Sequence, residues 1–486
     1  MSDHPNIVVV TTDSQNWSGV STGDADFVDT PNLDSLADEG VRFDQNYVTA
    51  PVCAPSRAGI YTGRYPHSSG AWTNGLQLYE GVPTMGEQFR DAGYRTAYVG
   101  KWHLDGDYMG DGKAAPGYEE EYWYDAANYR DDIGEELWDW YRSGMRTRVS
   151  ENDIDEIHER NISREDTWAG NITDHALAFI EDASDDDRPF FLAVNYDEPH
   201  EPSLSPPPFC DRYRDQRYPL PSNFETPEEL ADHGKPRRQQ QYAAAYETGN
   251  CFMNSIQDAV ENGGIYRPLY FGCIEFVDDE MGRVFDAVDT DETVVAVTSD
   301  HGHYLGAHGL DLKHFALYDE VTNVPLVMSG PSLAAGNATE ALVSQIDLFP
   351  TLMDLANVSI PDFCHGSSFC NVASDPTRDH REFALIEHNG YGRARTDGDG
   401  FYPVRTLVTA DGSKLSLNLL ESDELYDLND DPEELHNRID NEEYAQRRDE
   451  LHDRLLTEMS TTNDPFHGQA WANRAWRDVS DPTHPG

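Results

Sequence analysis

The segment Cys53-Ala-Pro-Ser-Arg57 is where this chain is best equipped for chemistry. Pro55 fits the first turn of a helix, where its missing N–H costs nothing, so Cys53 is expected at a helix N-terminus. Free N–H groups and the helix dipole favour an anion there, and Arg57, one turn on, reaches the same space. By residue type alone this is an anion site with a thiol in it; the plain alternative is a buried cysteine beside a capped helix. Other candidates each follow an apolar run: Asp13 after residues 6–12, Lys101 and His103 after 96–99, His200 after 190–194, and Asp300-His301-Gly302-His303 after 293–298. Singly, such a histidine or helix-capping aspartate is ordinary. Repeated at the ends of successive runs, they point to one rim.

Those runs set the architecture. Residues 6–12 are continuously apolar and β-branched, as a buried central strand should be. Further strands are expected at 96–99, 190–194, 293–298 and 325–328. Helices are expected at 32–40 and 270–288, the latter from Ile274, Val277, Met281, Val284, Phe285 and Val288. The alternation predicts an α/β fold: a large, mostly parallel sheet sandwiched by helices, with ligands beyond the carboxyl ends of its strands. Residues 105–187 and 201–221 read as long excursions above the sheet edge, the usual carriers of specificity. Beyond Ser367 the pattern changes to strand-like alternation at 404–407 and 414–420 and a helix at 442–457. This gives a catalytic domain over 1–370 and a smaller, antiparallel α+β C-terminal domain over 371–486.

Composition narrows the setting. The 486 residues carry 90 acids against 35 bases, a net charge of −55, and only five of the bases are lysines. The acids are spread along the whole chain. In molar salt the Debye length falls to ~3 Å and such repulsion is screened, which predicts a protein of a salt-loving, haloarchaeal cell. Without a basic stripe, nucleic acid is not an expected partner. No signal peptide is visible and no apolar run could span a bilayer, so the expected location is cytoplasmic, with no membrane association. Of the cysteines (53, 210, 251, 273, 364 and 370) all but Cys53 are expected to be reduced, buried thiols. Two of the five lysines, Lys101 and Lys313, lie at or near the candidate rim, as required cations would.

Cys53, Pro55, Ser56, Arg57, Thr62 and Gly63 fill the pattern Cys-x-Pro-Ser-Arg-x-x-x-x-Thr-Gly. Thr30-Pro-Asn-Leu-Asp34, Gly100-Lys-Trp-His103, Pro199-His-Glu-Pro202, Ser299-Asp-His-Gly302, Gly306-Ala-His-Gly309 and Asp347-Leu-Phe-Pro-Thr351 surround it in order. In these motifs the chain resembles the type I, formylglycine-dependent sulfatases of the alkaline phosphatase superfamily. The resemblance implies sulfate ester hydrolysis on an alkaline phosphatase-like fold, with Cys53 converted to formylglycine by a separate formylglycine-generating enzyme. It implies one divalent cation, Ca²⁺ or Mg²⁺, on Asp13, Asp300, His301 and the modified Cys53. Arg57, Lys101 and Lys313 would then hold the hydrate and sulfate, His103 would act as base, and His200 would bind substrate and protonate the leaving alcohol. Most of the family has a second acid directly after the first; here Ser14 and Gln15 follow Asp13, so one of these, or water, would complete the sphere. The substrate would be a small-molecule or glycan sulfate ester. A phosphonate monoester hydrolase or phosphodiesterase of the same superfamily is the rival reading, against which the Lys101–His103 pair speaks. A non-catalytic binding protein follows if Cys53 is never modified.

Overall fold

The computed structural model describes residues 4–21, 27–143, 151–248, 255–390 and 401–477. In chain order the strands are β1 (Asn6–Asp13), β2 (Val41–Phe43), β3 (Asn46–Tyr47), β4 (Arg95–Gly100), β5 (Trp123–Tyr124), β6 (Phe190–Pro199) and β7 (Thr293–Ser299). They continue as β8 (Leu326–Ser329), β9 (Asn337–Thr339), β10 (Val343–Ser344), β11 (Phe383–His388), β12 (Val404–Thr409), β13 (Ser413–Asn418) and β14 (Glu424–Asp427). The main sheet has eight strands in the order β5-β4-β6-β1-β7-β8-β2-β9. β5, β4, β6, β1 and β7 run parallel, while β8 is antiparallel to both β7 and β2.

Side chains alternate across a strand, so each central strand feeds two cores. Val8 and Val10 of β1 join Ala97, Val99, Leu192, Val194, Val295 and Val297 under the helices Trp168–Ala183 and Pro268–Asp286. Ile7 and Val9 join Tyr98, Phe191, Ala193, Val294 and Ala296 on the other face, beneath the helices Cys53–Thr62 and Leu348–Leu355. The expected sandwich is therefore present. One expectation changes: the stretch 105–187 is not all excursion, because Trp168–Ala183 is a core helix packed on β4 and β6. Its buried residues, among them Trp168, Ile172, Ala176 and Phe179, keep helical spacing amid polar neighbours.

Topology explains why distant segments share one rim. The four neighbours β4, β6, β1 and β7 deliver their carboxyl ends side by side. Because β8 runs back beside β7, residues 300–325 begin and end at that rim and keep Lys313 there. β2 points the same way as β1, and the chain leaving its end reaches Cys53. Gly100 closes β4 at φ +106; a side chain there would strike the Asn195 carbonyl, so the turn that presents Lys101 requires glycine.

A second, antiparallel sheet, β11-β12-β13-β14, is covered by the helix Ala445–Thr461. Among the described cysteines, Cys53, Cys210 and Cys273 are buried thiols, but Cys364 and Cys370 are only half-buried, correcting the expectation of full burial; they are not bonded to each other. Cys251 lies outside the described residues. No helix among the described residues is long and apolar enough to cross a membrane.

Candidate active site

All ten residues of the helix Cys53–Thr62 are buried, with Val52 as its extended N-cap and left-handed Gly63 as its C-cap. Cys53 is thus its first residue, and the N–H of Ala54 is taken by Asn74 Oδ1 at 3.0 Å. Around the Cys53 sulfur stand Lys313 Nζ at 3.0 Å, His301 Nε2 at 3.3 Å and Asp13 Oδ1 at 4.0 Å. Burial and the charge of Asp13 oppose a thiolate, but Lys101, Lys313 and His301 outweigh them and hold the thiol well below its ordinary value.

Asp13, Cys53, Asp300 and His301 each offer a ligand atom, all within 4.8 Å of one another and all buried. His301 Nδ1 lies 2.9 Å from the Gly302 carbonyl and donates to it, which leaves Nε2 facing the two carboxylates at 3.6 and 3.4 Å. That backbone bond is the arrangement that orients a metal-ligating histidine. Burial and the charge of Asp13 push the Asp300 carboxyl up to about 6, against the opposing pull of His301 and Arg57. Asp13 stays well below the usual range because Lys101 and Lys313 overcome its burial. Two carboxylates and one imidazole nitrogen, with the Cys53 sulfur beside them, could hold a metal ion, and the carboxylate oxygens are donors that suit Ca²⁺ or Mg²⁺.

Of the two residues after Asp13, Ser14 belongs to the cluster and Gln15 does not. Ser14 Oγ donates to Asp13 Oδ1 at 2.8 Å and lies 3.3 Å from Lys313 Nζ, with its backbone at φ 68. The Gln15 amide instead donates to the Gly19 carbonyl at 3.1 Å. A hydroxyl therefore stands at the cluster directly after Asp13.

Arg57 lies beneath the cluster, fully buried. Its Nε bonds Asp300 Oδ2 at 2.9 Å, and its Nη1 bonds the Lys101 carbonyl at 2.8 Å and Asn195 Oδ1 at 3.1 Å. Only Nη2 lacks a hydrogen-bond partner; it stands 3.7 Å from Asp13. Most of the guanidinium is thus committed to Asp300, the Lys101 carbonyl and Asn195, and one nitrogen remains for a ligand. Lys101 Nζ bridges Asp13 Oδ2 at 2.5 Å and Asp197 Oδ1 at 2.8 Å. His103 is buried at φ 59, and burial holds its imidazole below the ordinary value, hence neutral. His200 is partly exposed, and its Nδ1 donates to the Glu201 carbonyl at 2.9 Å, leaving Nε2 for proton exchange.

Two functional residues escaped the sequence reading. Asp197 receives Lys101 and the Tyr108 hydroxyl, the latter at 2.6 Å to both carboxylate oxygens. The Tyr108 ring lies 4.2 Å from Lys101 Nζ, edge-on to His103 at 5.2 Å and 5.9 Å from the His200 ring. The three acids Asp13, Asp197 and Asp300 thus face three cations, Arg57, Lys101 and Lys313. A divalent cation would leave the ring net positive, which suits an anionic ester.

A buried cation cluster at the carboxyl ends of a helix-covered sheet is the build of a hydrolase of anionic esters, and the fold is that of the alkaline phosphatase-like enzymes. The chain matches the Sulfatase family over residues 5–358 and the C-terminal region of N-sulphoglucosamine sulphohydrolase over residues 306–461, so it belongs to the sulfatase family of sulfuric ester hydrolases. It is 39% identical to the uncharacterized sulfatase YidJ of Escherichia coli (strain K12), over 98% of this chain and 92% of that one. Among solved structures, one in complex with its substrate D-glucosamine-2-N,6-O-disulfate matches with a TM-score of 0.73 at 22% identity, covering 96% of this chain and 99% of the other. The phosphonate monoester hydrolase of Silicibacter pomeroyi matches with a TM-score of 0.76, also at 22% identity, covering 95% and 96%. The fold is therefore shared between the leading function and its rival.

Proposed function

We propose that this sulfatase is of the formylglycine type, with residues 1–370 as its catalytic domain, 371–486 as its C-terminal domain, and a divalent cation, Ca²⁺ or Mg²⁺, held by Asp13, Asp300, His301 and residue 53. The observation that carries the reading is the Cys53 sulfur at a helix N-terminus, 3.0 Å from Lys313 and 3.3 Å from His301. A serine sulfate would be a dead end; oxidised to formylglycine, residue 53 supplies a geminal diol, one hydroxyl to attack sulfur and a second to expel sulfate and restore the aldehyde. The cation supplies charge stabilisation for the sulfuryl oxygens.

The side chains do the rest. Lys101, Lys313 and the remaining nitrogen of Arg57 bind the sulfate oxygens. His200, held by its Nδ1–H bond, gives its Nε2 proton to the departing alkoxide. His103, buried and neutral, takes the proton of the second hydroxyl as the adduct collapses. The bulk charge of −55 supports a high-salt, cytoplasmic setting, where the surface is screened and only the cation cluster attracts an ester.

The test is the mass of the peptide containing residue 53 in active enzyme. Conversion of cysteine to formylglycine is expected, together with loss of 4-nitrophenyl sulfate turnover in Cys53→Ala at unchanged Tm. An unmodified thiol in fully active enzyme refutes the route. Turnover of an aryl phosphonate ester exceeding that of the aryl sulfate would transfer the assignment to the phosphonate hydrolases.

A further inference from the structure

Next to the cluster lies a cleft of about 560 Å³ between residues 70–80 and residues 105–106. Both walls are continuous with reacting groups. Asn74, beside the lining residue Gly75, accepts the N–H of Ala54, the residue after Cys53, at 3.0 Å. The Leu78 N–H donates to the carbonyl of Leu104, the residue after His103, at 3.0 Å, and Gln77 pairs with Asp105 through an antiparallel bridge. The cleft thus adjoins the chain segments that carry residue 53 and His103.

The lining contrasts with the sulfate end. Arg57, Lys101 and Lys313 gather there, whereas no lysine or arginine is among the described residues that line the cleft. It is walled by the rings of Trp72 and Tyr79 and by the carboxylates of Asp105 and Glu80, with Gln77 between them. Tyr79 is 56% exposed, so a broad ring face is open to a ligand. Aromatic faces attract a cation through their quadrupole, and two carboxylates add to that attraction while repelling a further anionic group.

We propose that this cleft receives a positively charged alcohol, so that the substrate class is the sulfate ester of an amino or quaternary-ammonium alcohol, anionic at one end and cationic at the other. This rests on the sulfatase reading above and adds the identity of the leaving group. The cation fits between the rings and the acids, and polysulfated glycans are disfavoured at the same place.

Two matched pairs test it at fixed salt: choline O-sulfate against 3,3-dimethylbutyl sulfate, and D-glucosamine 6-sulfate against D-glucose 6-sulfate, with 4-nitrophenyl sulfate as reference. In at least one pair kcat/KM should favour the cationic member by about tenfold or more, the scale of one partly desolvated cation–π contact; which pair responds separates a small ammonium alcohol from an amino sugar. That ratio should collapse towards one in Asp105→Asn and in Glu80→Gln, the latter a surface change that leaves the fold alone. Equal or reversed rates in both pairs, with 4-nitrophenyl sulfate still turned over, overturn the proposal and spare the sulfatase reading. Loss of turnover on every ester overturns both.

Discussion

Asp197 offers the sharpest test of how the cluster is held. It is 1% exposed and shares Lys101 with Asp13, at 2.8 and 2.5 Å. Replacing it by asparagine keeps the shape and still accepts the Tyr108 hydroxyl, but removes one of the two charges that fix the ammonium. Lys101 is then drawn wholly to Asp13, where it competes with a cation and leaves the sulfate oxygens. A hydrogen bond to a charged group contributes about 1.5–3 kcal/mol, so kcat/KM on 4-nitrophenyl sulfate should fall by about 10- to 150-fold. Tyr108→Phe removes a neutral donor to the same carboxylate but leaves both charges in place, and should cost about tenfold, the lower end of that range. Burial works against a charged Lys101 while Asp13 and Asp197 hold its pKa well above the ordinary value; once Asp197 has lost its charge that value drops, and the alkaline limb of the rate profile should shift to lower pH. An Asp197→Asn enzyme within twofold of wild type, with the same limb, would refute the reasoning.

Three further outcomes are expected. His200→Ala should slow alkyl sulfates far more than 4-nitrophenyl sulfate, whose leaving group needs no proton; equal losses would remove His200 from the acid role. Buried His67 meets an acceptor at each nitrogen, Glu387 at 2.5 Å and the Thr462 carbonyl at 3.0 Å, so it is held as imidazolium, its pKa raised by Glu387 against burial. Its contribution is complete below the unfolded histidine pKa and is lost as pH rises through the raised value, so His67→Gln should lower Tm more at about pH 5.5 than at about pH 9; a pH-independent difference would contradict this. Activity and Tm should both rise from low to molar KCl as surface repulsion is screened, and a flat response would count against the halophilic reading.

Much of the architecture was legible because hydrophobic runs and strand burial coincide: residues 6–12, 96–99 and 293–298 each lie within an observed strand. The reading of β6 failed instructively. Its apolar run stops at Val194, yet the strand continues to Pro199, because Asn195 and Asp197 are buried among site groups and Glu198 on the Ala169 N–H instead of being solvated. Hydrophobicity ends where the site begins, and Asp197 was hidden there. The lysine argument was half right. Lys101 and Lys313 are at the cluster, but Lys235, against Tyr318 and Tyr426, and Lys414, against Asp319 and Glu434, are buried as structural cations, and Lys113 alone among the five is exposed. Lysine scarcity therefore marks burial, of which a site is one case.

Taken by itself, the sequence determined which residue types could do chemistry, that they follow strands, and that Cys53 starts a helix, because these depend on local pattern and backbone geometry. Only the tertiary structure decided which of Ser14 and Gln15 faces the cluster, that Arg57 is spent mainly on Asp300, Asn195 and the Lys101 carbonyl, and that Tyr108 and Asp197 brace Lys101. Each of these depends on where a side chain finds its partner across segments far apart in the chain, and residue spacing carries no record of that.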